Sequence, residues 1–305
     1  MKTSPAVTEP ILYWDRSSKK TEREDIYGEA LVRWLYQTQP GSWLTERVFS
    51  RPLISKLYGA YQSSSLSAHK VSGFIREFKI PMQEFEEKNF SSFNDFFIRK
   101  FRGGARPFTQ KSGELPAFAE ARYLAFEKVR DEQTFPVKGR GLSAEFLLGS
   151  ADKAKPFIGG PLLLARLCPV DYHRFHYPDE GETLDQYSIS GALHSVNPLA
   201  LRHKYDIFIT NERQVSLLRT PHFGLLAYIE VGALCVGKIV QTHSSEKFSR
   251  GEEKGYFLFG GSTVIVMGEP GAWVPDSDIL QQTAQGRETL VRLGDRVAEA
   301  KRRGD

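Results

Sequence analysis

Asp171, His173 and His176 crowd the stretch CPVDYHRFHYP, residues 168–178. Far downstream, Ser262 follows two glycines in KGYFLFGGSTVIVM, residues 254–267. Serine, histidine and a carboxylate are the residue types of nucleophilic catalysis. The imidazole takes the hydroxyl proton, and the carboxylate orients the imidazole. A glycine directly before the serine removes side-chain hindrance at the preceding carbonyl and tolerates backbone angles closed to other residues. That is the geometry required if the Ser262 hydroxyl is to attack its own upstream peptide carbon. The plainer reading is a glycine bulge in a strand plus hydrogen-bonded structural histidines. Two histidines beside an aspartate, with proline on both sides, favour a functional loop. No metal is expected. There is no HExxH or CxxC, and in a strand residues three apart point to opposite faces, so His173 and His176 would not share a ligand.

These residues need a scaffold. The first hundred residues read as helical: Ile26, Ala30, Leu31, Trp34 and Leu35 recur at helical spacing, as do Val48, Leu53, Leu57 and Tyr61, and then Val71, Phe74, Ile75 and Phe78. Ser67 is placed to cap the third of these helices, and Ser92 to cap a fourth carrying Phe93, Phe96 and Phe97. Core packing is the expected role of most of these aromatic residues. From about residue 105 short apolar runs alternate with glycine-rich turns, as in YLAFEKV, GGPLLLARL, DIFIT and YFLFGGSTVIVM. That texture predicts many short, mostly antiparallel strands. The expected fold is α+β: a helical N-terminal region, 1–104, followed by a β-rich catalytic domain, 105–305.

Bulk properties narrow the function classes. Net charge is +4, too mild to argue for nucleic acid, and none is expected as a partner. Cys168 and Cys235 lie in apolar surroundings and read as reduced core residues, in keeping with a cytosolic setting. The first thirty residues contain no apolar stretch of the secretory type. The most apolar segment, FGLLAYIEVGALCVGKIV at 223–240, carries Glu230 and Lys238 and reads as two strands rather than one membrane span. Basic charge is concentrated instead. No acidic residue occurs from Arg47 to Arg76, and FIRKFRGGARPFTQK, 97–111, holds five basic residues and three phenylalanines. Such stretches are either solvated faces or a surface for anionic lipid head groups, where each Lys or Arg contributes about 1 kcal/mol.

Several segments, in one order along the chain, resemble phosphatidylserine decarboxylases of the bacterial subgroup with extended N-termini: WLYQTQPG near the start, FNDFFIRKFRGGARP, FPVKGRGLSAEFLLG, DYHRFHYP, SVNPLAL, NER, EVGALCVGKIVQTH and GEEKGYFLFGGST. The resemblance implies an inactive proenzyme that cuts itself between Gly261 and Ser262, giving chains 1–261 (β) and 262–305 (α) that stay together. Ser262 is thereby converted to a covalent pyruvoyl group, with no metal and no external cofactor. That group forms a Schiff base with the amine of phosphatidylserine, and loss of carbon dioxide yields phosphatidylethanolamine. By the family pattern His176 is the histidine of the self-cleavage triad, and His173 serves the decarboxylation step. The implied setting is the cytoplasmic face of the cell membrane, peripherally attached to an anionic surface.

One motif departs from the family. Where the triad aspartate stands in a Ser-Pro-x-Asp-Gly turn, this chain reads Ala117-Phe118-Ala119-Glu120-Ala121. Three readings stand: Glu120 replaces the aspartate, Asp171 substitutes for it, or the chain stays uncut. Two further functions therefore stand beside the first: a pyruvoyl decarboxylase of a free amino acid, and a non-cleaving lipid-binding relative.

Overall fold

A computed structural model of the chain describes residues 10–49, 52–129, 143–203, 206–233, 238–260 and 262–301. Gly261 and Cys235 lie outside the described residues, as does much of the FPVKGRGLSAEFLLG segment. The centre of the fold is a ten-stranded sheet. Its strands run in the order Lys247–Phe248, Gly181–Ile189, Arg213–Thr220, Gly224–Val231, Ser262–Gly268, Leu162–Leu167, Ala121–Phe126, Glu288–Val291, Leu12–Asp15 and Lys20–Arg23. Every pairing is antiparallel except that of Leu12–Asp15 with Glu288–Val291. Among the described residues there are also two three-stranded sheets, and the fold is α+β, as the patterning predicts.

The strand Ser262–Gly268 is buried at every position, and so is its neighbour Leu162–Leu167. A strand covered on both faces reads as a continuous apolar run rather than an alternation, which is what TVIVM and LLLARL supply. The 223–240 segment forms the strands Gly224–Val231 and Ile239–Gln241. Among the described residues no helix is long and apolar enough to cross a membrane.

Among the described residues the N-terminal region is mostly helical, with a strand hairpin near its start. Leu12–Asp15 and Lys20–Arg23 form a hairpin that extends the large sheet at its edge. The second strand, KTER, is exposed throughout and lacks the apolar alternation that would have marked it as a strand. Two helical expectations also change. In the helix Glu29–Gln37 the buried residues are Leu35 and Tyr36, while Leu31 and Trp34 are exposed. Ser67 does not cap the helix Lys70–Glu77, whose N-cap is His69. It sits buried in a preceding turn, donates to the Gln62 carbonyl at 2.8 Å and accepts from Phe93 N–H at 2.9 Å. Ser92 does cap the helix Phe93–Phe97, accepting from Asp95 N–H at 3.1 Å.

Candidate active site

Ser262 opens the central strand, wholly buried, in register with Leu167. The residue two before it, Gly260, has φ of 143°, a conformation that glycine holds with little strain and other residues do not. The Ser262 hydroxyl lies 3.3 Å from Nδ1 of His173. His173 Nε2 lies 2.7 Å from the Cys168 carbonyl oxygen, an obligate acceptor, so Nε2 carries the proton and Nδ1 is the bare nitrogen facing Ser262. The ring is fixed from one side by Phe97, stacked at 3.8 Å between centroids and 25° between planes. The short helix Phe93–Phe97, packed into an aromatic cluster with Phe74 and Phe259, thus acts as the plate against which the imidazole rests.

Burial pushes the His173 pKa down to about 3, and the nearby Arg99 charge pushes the same way against the pull of the Cys168 carbonyl. Arg99 is itself buried. It lies over the rings of Phe85 and Phe96 and donates from Nη2 to the carbonyls of Val170 and Asp171 at 2.9 and 3.1 Å. His173 is therefore neutral at physiological pH. It can accept the Ser262 proton without first losing one of its own.

His176 is held elsewhere. Its Nδ1 donates to the Gly251 carbonyl at 2.9 Å, and Tyr172 O–H donates to its Nε2 at 3.3 Å. Burial lowers its pKa as well. The structure thus brings His173, and not His176, onto Ser262, the reverse of the pairing that the family pattern implies. The residue spacing does not say which of the two rings reaches the serine.

Glu120 is not joined to His176 by any hydrogen bond among the described residues. It is clamped by Arg106, whose Nε and Nη2 both donate to its carboxylate, and it accepts Leu293 N–H at 3.2 Å. Arg106 also reaches Glu84 at 2.7 Å. The Arg106–Glu120 ion pair and the Leu293 N–H bond together tie the ARP segment to the C-terminal portion of the chain. Asp171 lies closer to the chemistry. Its Oδ2 accepts Cys168 N–H and Arg122 Nη1, each at 2.7 Å, and its own N–H closes on the Cys168 carbonyl at 2.9 Å. The turn that presents the His173 acceptor is thereby closed twice over.

A cavity of about 150 Å³ abuts the site. Its lining includes Gly260, two residues before Ser262, and Leu167, the register partner of Ser262. Leu31, Val32 and Leu35 of the helix Glu29–Gln37 form part of its wall, and Arg166, Ser195 and Asn197 are polar groups on its lining. A covalent carbonyl group made from Ser262 fits this setting: the residue is buried, a neutral imidazole touches its oxygen, and a cavity lies alongside.

Comparison with known proteins agrees. A family model described as phosphatidylserine decarboxylase matches residues 93–299. The phosphatidylserine decarboxylase proenzyme of Clostridium novyi (strain NT) is 40% identical over 290 residues, covering 94% of this chain and 98% of that protein. The proenzyme of that name from Clostridium tetani (strain Massachusetts / E88) is 40% identical over 292 residues, covering 95% and 98%. That from Chlamydia felis (strain Fe/C-56) is 38% identical over 287 residues, covering 93% and 96%. With matches spanning nearly its whole length, and a serine, a histidine and a cavity assembled at the head of its central strand, the chain belongs to the phosphatidylserine decarboxylase family of enzymes.

Proposed function

We propose that the chain is a proenzyme that cuts itself between Gly261 and Ser262 and then decarboxylates phosphatidylserine to phosphatidylethanolamine. The observation that carries this reading is the contact of 3.3 Å between the Ser262 hydroxyl and the bare Nδ1 of a neutral, buried His173. His173 takes the hydroxyl proton as Ser262 Oγ attacks the Gly261 carbonyl carbon. The peptide C–N bond breaks as the ester C–O bond forms, and the amine of residue 262 is freed. Loss of the Ser262 Cα proton with cleavage of Cβ–Oγ releases the Gly261 carboxylate. Water then replaces the nitrogen, which leaves as ammonia. In this reading His173 is the base of self-cleavage, and His176 braces the loop through Gly251 and Tyr172. Glu120 acts as a tether. The resulting pyruvoyl group would supply a carbonyl electron sink for the departing carboxylate.

The substrate arrives from a membrane surface. Six of the ten large exposed apolar side chains among the described residues fall between Leu31 and Leu66: Leu31, Trp34, Trp43, Leu57, Tyr61 and Leu66. Exposed Arg47 and Arg76 stand in the same acid-free region, with Lys70 over the Tyr61 ring at 4.3 Å. Apolar side chains rimmed by basic ones suit an anionic bilayer. Leu31 is both exposed and part of the cavity wall, so the cavity opens onto that surface. We therefore assign 1–104 to a membrane-facing region and 105–305 to the catalytic one, with the N-terminal hairpin joined to the catalytic sheet.

The test is release of labelled carbon dioxide from phosphatidylserine in anionic vesicles, set against free serine. Release from the lipid alone is expected. Turnover of free serine at a comparable kcat/KM would move the assignment to an amino acid decarboxylase.

A further inference from the structure

Arg99 follows the short helix Phe93–Phe97 and is buried, with 4% of its surface exposed. Its guanidinium lies over two rings, 4.5 Å from the Phe85 centroid and 4.7 Å from the Phe96 centroid. Nη2 donates to the carbonyls of Val170 and Asp171. Nε and Nη1 are buried as well and have no acceptor among the described residues. The rings soften the charge but offer no lone pair to an N–H group. Burying a guanidinium is costly unless it is paired, and burial pulls the Arg99 pKa down to about 10, still charged at neutral pH. Arg99 feels Asp171 and Glu120 through space, but Asp171 is bonded to Arg122 and Glu120 is clamped by Arg106.

This charge stands close to the chemistry. Val170 and Asp171, which it holds, belong to the turn whose Cys168 carbonyl binds His173, and His173 lies 3.3 Å from the Ser262 hydroxyl. The helix Phe93–Phe97 also reaches the segment upstream of the cut. Asn94 Oδ1 accepts Phe259 N–H at 2.7 Å, and the Phe259 ring packs on Phe93 and Phe97. A buried cation with two donors to satisfy therefore sits beside a place where processing and turnover both bring carboxylates.

We propose that Arg99 is the receptor for a carboxylate that arrives at this centre only after the chain is cut. The inference rests on self-cleavage between Gly261 and Ser262, and not on which histidine serves it. A carboxylate, with two oxygens and several lone pairs, suits a cation whose donors lack acceptors. Two sources supply that chemistry. One is the carboxylate freed at Gly261 when the Cβ–Oγ bond of Ser262 breaks; it remains in every mature molecule, two residues after the anchored Phe259. The other is the head-group carboxylate of phosphatidylserine, which stays only until it leaves as carbon dioxide. The first suits the site better. A guanidinium that pairs with a carboxylate holds it as an anion and so works against its departure. With the Gly261 carboxylate in place, a charge that the uncut chain buries unpaired becomes half of an ion pair.

The experiment follows both carboxylates. In protein labelled with [1-13C]glycine, Gly261 gains a free carboxyl on cleavage, and its 13C resonance reports ionisation as pH is lowered. In the cut parent it is expected to titrate below the ordinary α-carboxyl value of about 3.3 to 3.7. In cut Arg99→Gln it should titrate at least about one unit higher than in the parent, since burial without the cation raises a carboxyl. That result assigns the Gly261 carboxylate. An equal midpoint in both, with the KM for phosphatidylserine in vesicles raised about 10-fold or more by Arg99→Gln and inhibition by phosphatidylethanolamine unchanged, assigns the carboxylate of the substrate. An unmoved midpoint overturns the proposal if KM is unmoved too, or if the loss falls equally on phosphatidylethanolamine, which has no carboxylate. If Arg99→Gln yields no folded, cut protein, the Arg99 Nε–H resonance is compared between uncut Ser262→Ala and the cut parent, with and without lipid. A downfield move on cleavage or on lipid binding supports the proposal, and one position throughout overturns it. Failure of the underlying reading is distinct: the parent stays one chain, and no glycine carboxyl appears at all.

Discussion

At the scale of single residues the chemistry rests on where protons sit. His173 is neutral because burial and Arg99 disfavour its charged form, and its Nε2 proton is committed to a carbonyl. A base whose pKa lies near 3 does not change state across the neutral range. The rate of self-cleavage is therefore expected to show no inflection near the ordinary histidine value of about 6.5, measured by gel or mass from about pH 5 to 8. The consequence for stability has a definite sign. The unfolded chain takes up a proton at His173 that the folded chain refuses, so stability rises with pH through that window. The contribution is complete above about 6.5 and is lost as pH falls toward the folded value, with His176 adding in the same direction. Denaturant midpoints that increase on acidification from neutrality would contradict this. On the proposed assignment, His173→Ala should slow cleavage by about 10²- to 10⁴-fold, while His176→Ala should act mainly through stability. The serine, both histidines and the motif departure at Glu120 were all legible as residues. The choice between the histidines was not, because DYHRFHYP offers two identical side chains, and only the closing of the Cys168 turn decides which one turns toward Ser262.

At the scale of elements, the site is the meeting of one strand end, one turn and one short helix. The strand Ser262–Gly268 was readable from its unbroken apolar run, and the helix Phe93–Phe97 from its Ser92 cap. Phe97 has two roles, filling the aromatic cluster and stacking on His173. Phe97→Ala is expected to cost about 3 to 5 kcal/mol of stability in thermal or denaturant unfolding, as removal of a wholly buried aromatic does. Phe97→Leu should keep most of the stability yet slow self-cleavage, since it fills volume without offering a flat face to the imidazole. Equal cleavage rates in Phe97→Leu and the parent would remove the ring from the positioning of His173. The hairpin Leu12–Asp15/Lys20–Arg23 escaped sequence reasoning for a physical reason. Its second strand is a solvent-facing edge without alternation, and its partner strand Glu288–Val291 lies at the other end of the chain. Glu24 was missed with it, since a carboxylate in a polar N-terminal stretch gives no hint that it will be buried between two arginines.

At the scale of the whole molecule, the cut would fall inside a sheet whose other pairings remain intact. The strand Ser262–Gly268 lies between Leu162–Leu167 and Gly224–Val231, and Glu288–Val291 lies between Ala121–Phe126 and Leu12–Asp15. Arg166 also grips Glu288 across the cleavage point. Chains 1–261 and 262–305 are expected to co-purify through gel filtration without denaturant. The apolar and basic helical surface makes a separate prediction. Trp43→Ala with Leu57→Ala should lower binding to anionic vesicles, measured by co-sedimentation, and leave the rate of self-cleavage unchanged. The α+β class was readable from the shift in texture near residue 105; that Leu31 and Trp34 face outward was not, because an apolar stripe looks the same whether a core or a bilayer covers it. The central claim is the self-cleavage itself, and the intact mass of the purified protein tests it most directly. Self-cleavage predicts two species, divided between Gly261 and Ser262, the smaller one blocked at its N-terminus, with Ser262→Ala leaving a single chain of 34.5 kDa. A parent protein that stays one unmodified chain after prolonged incubation would contradict it.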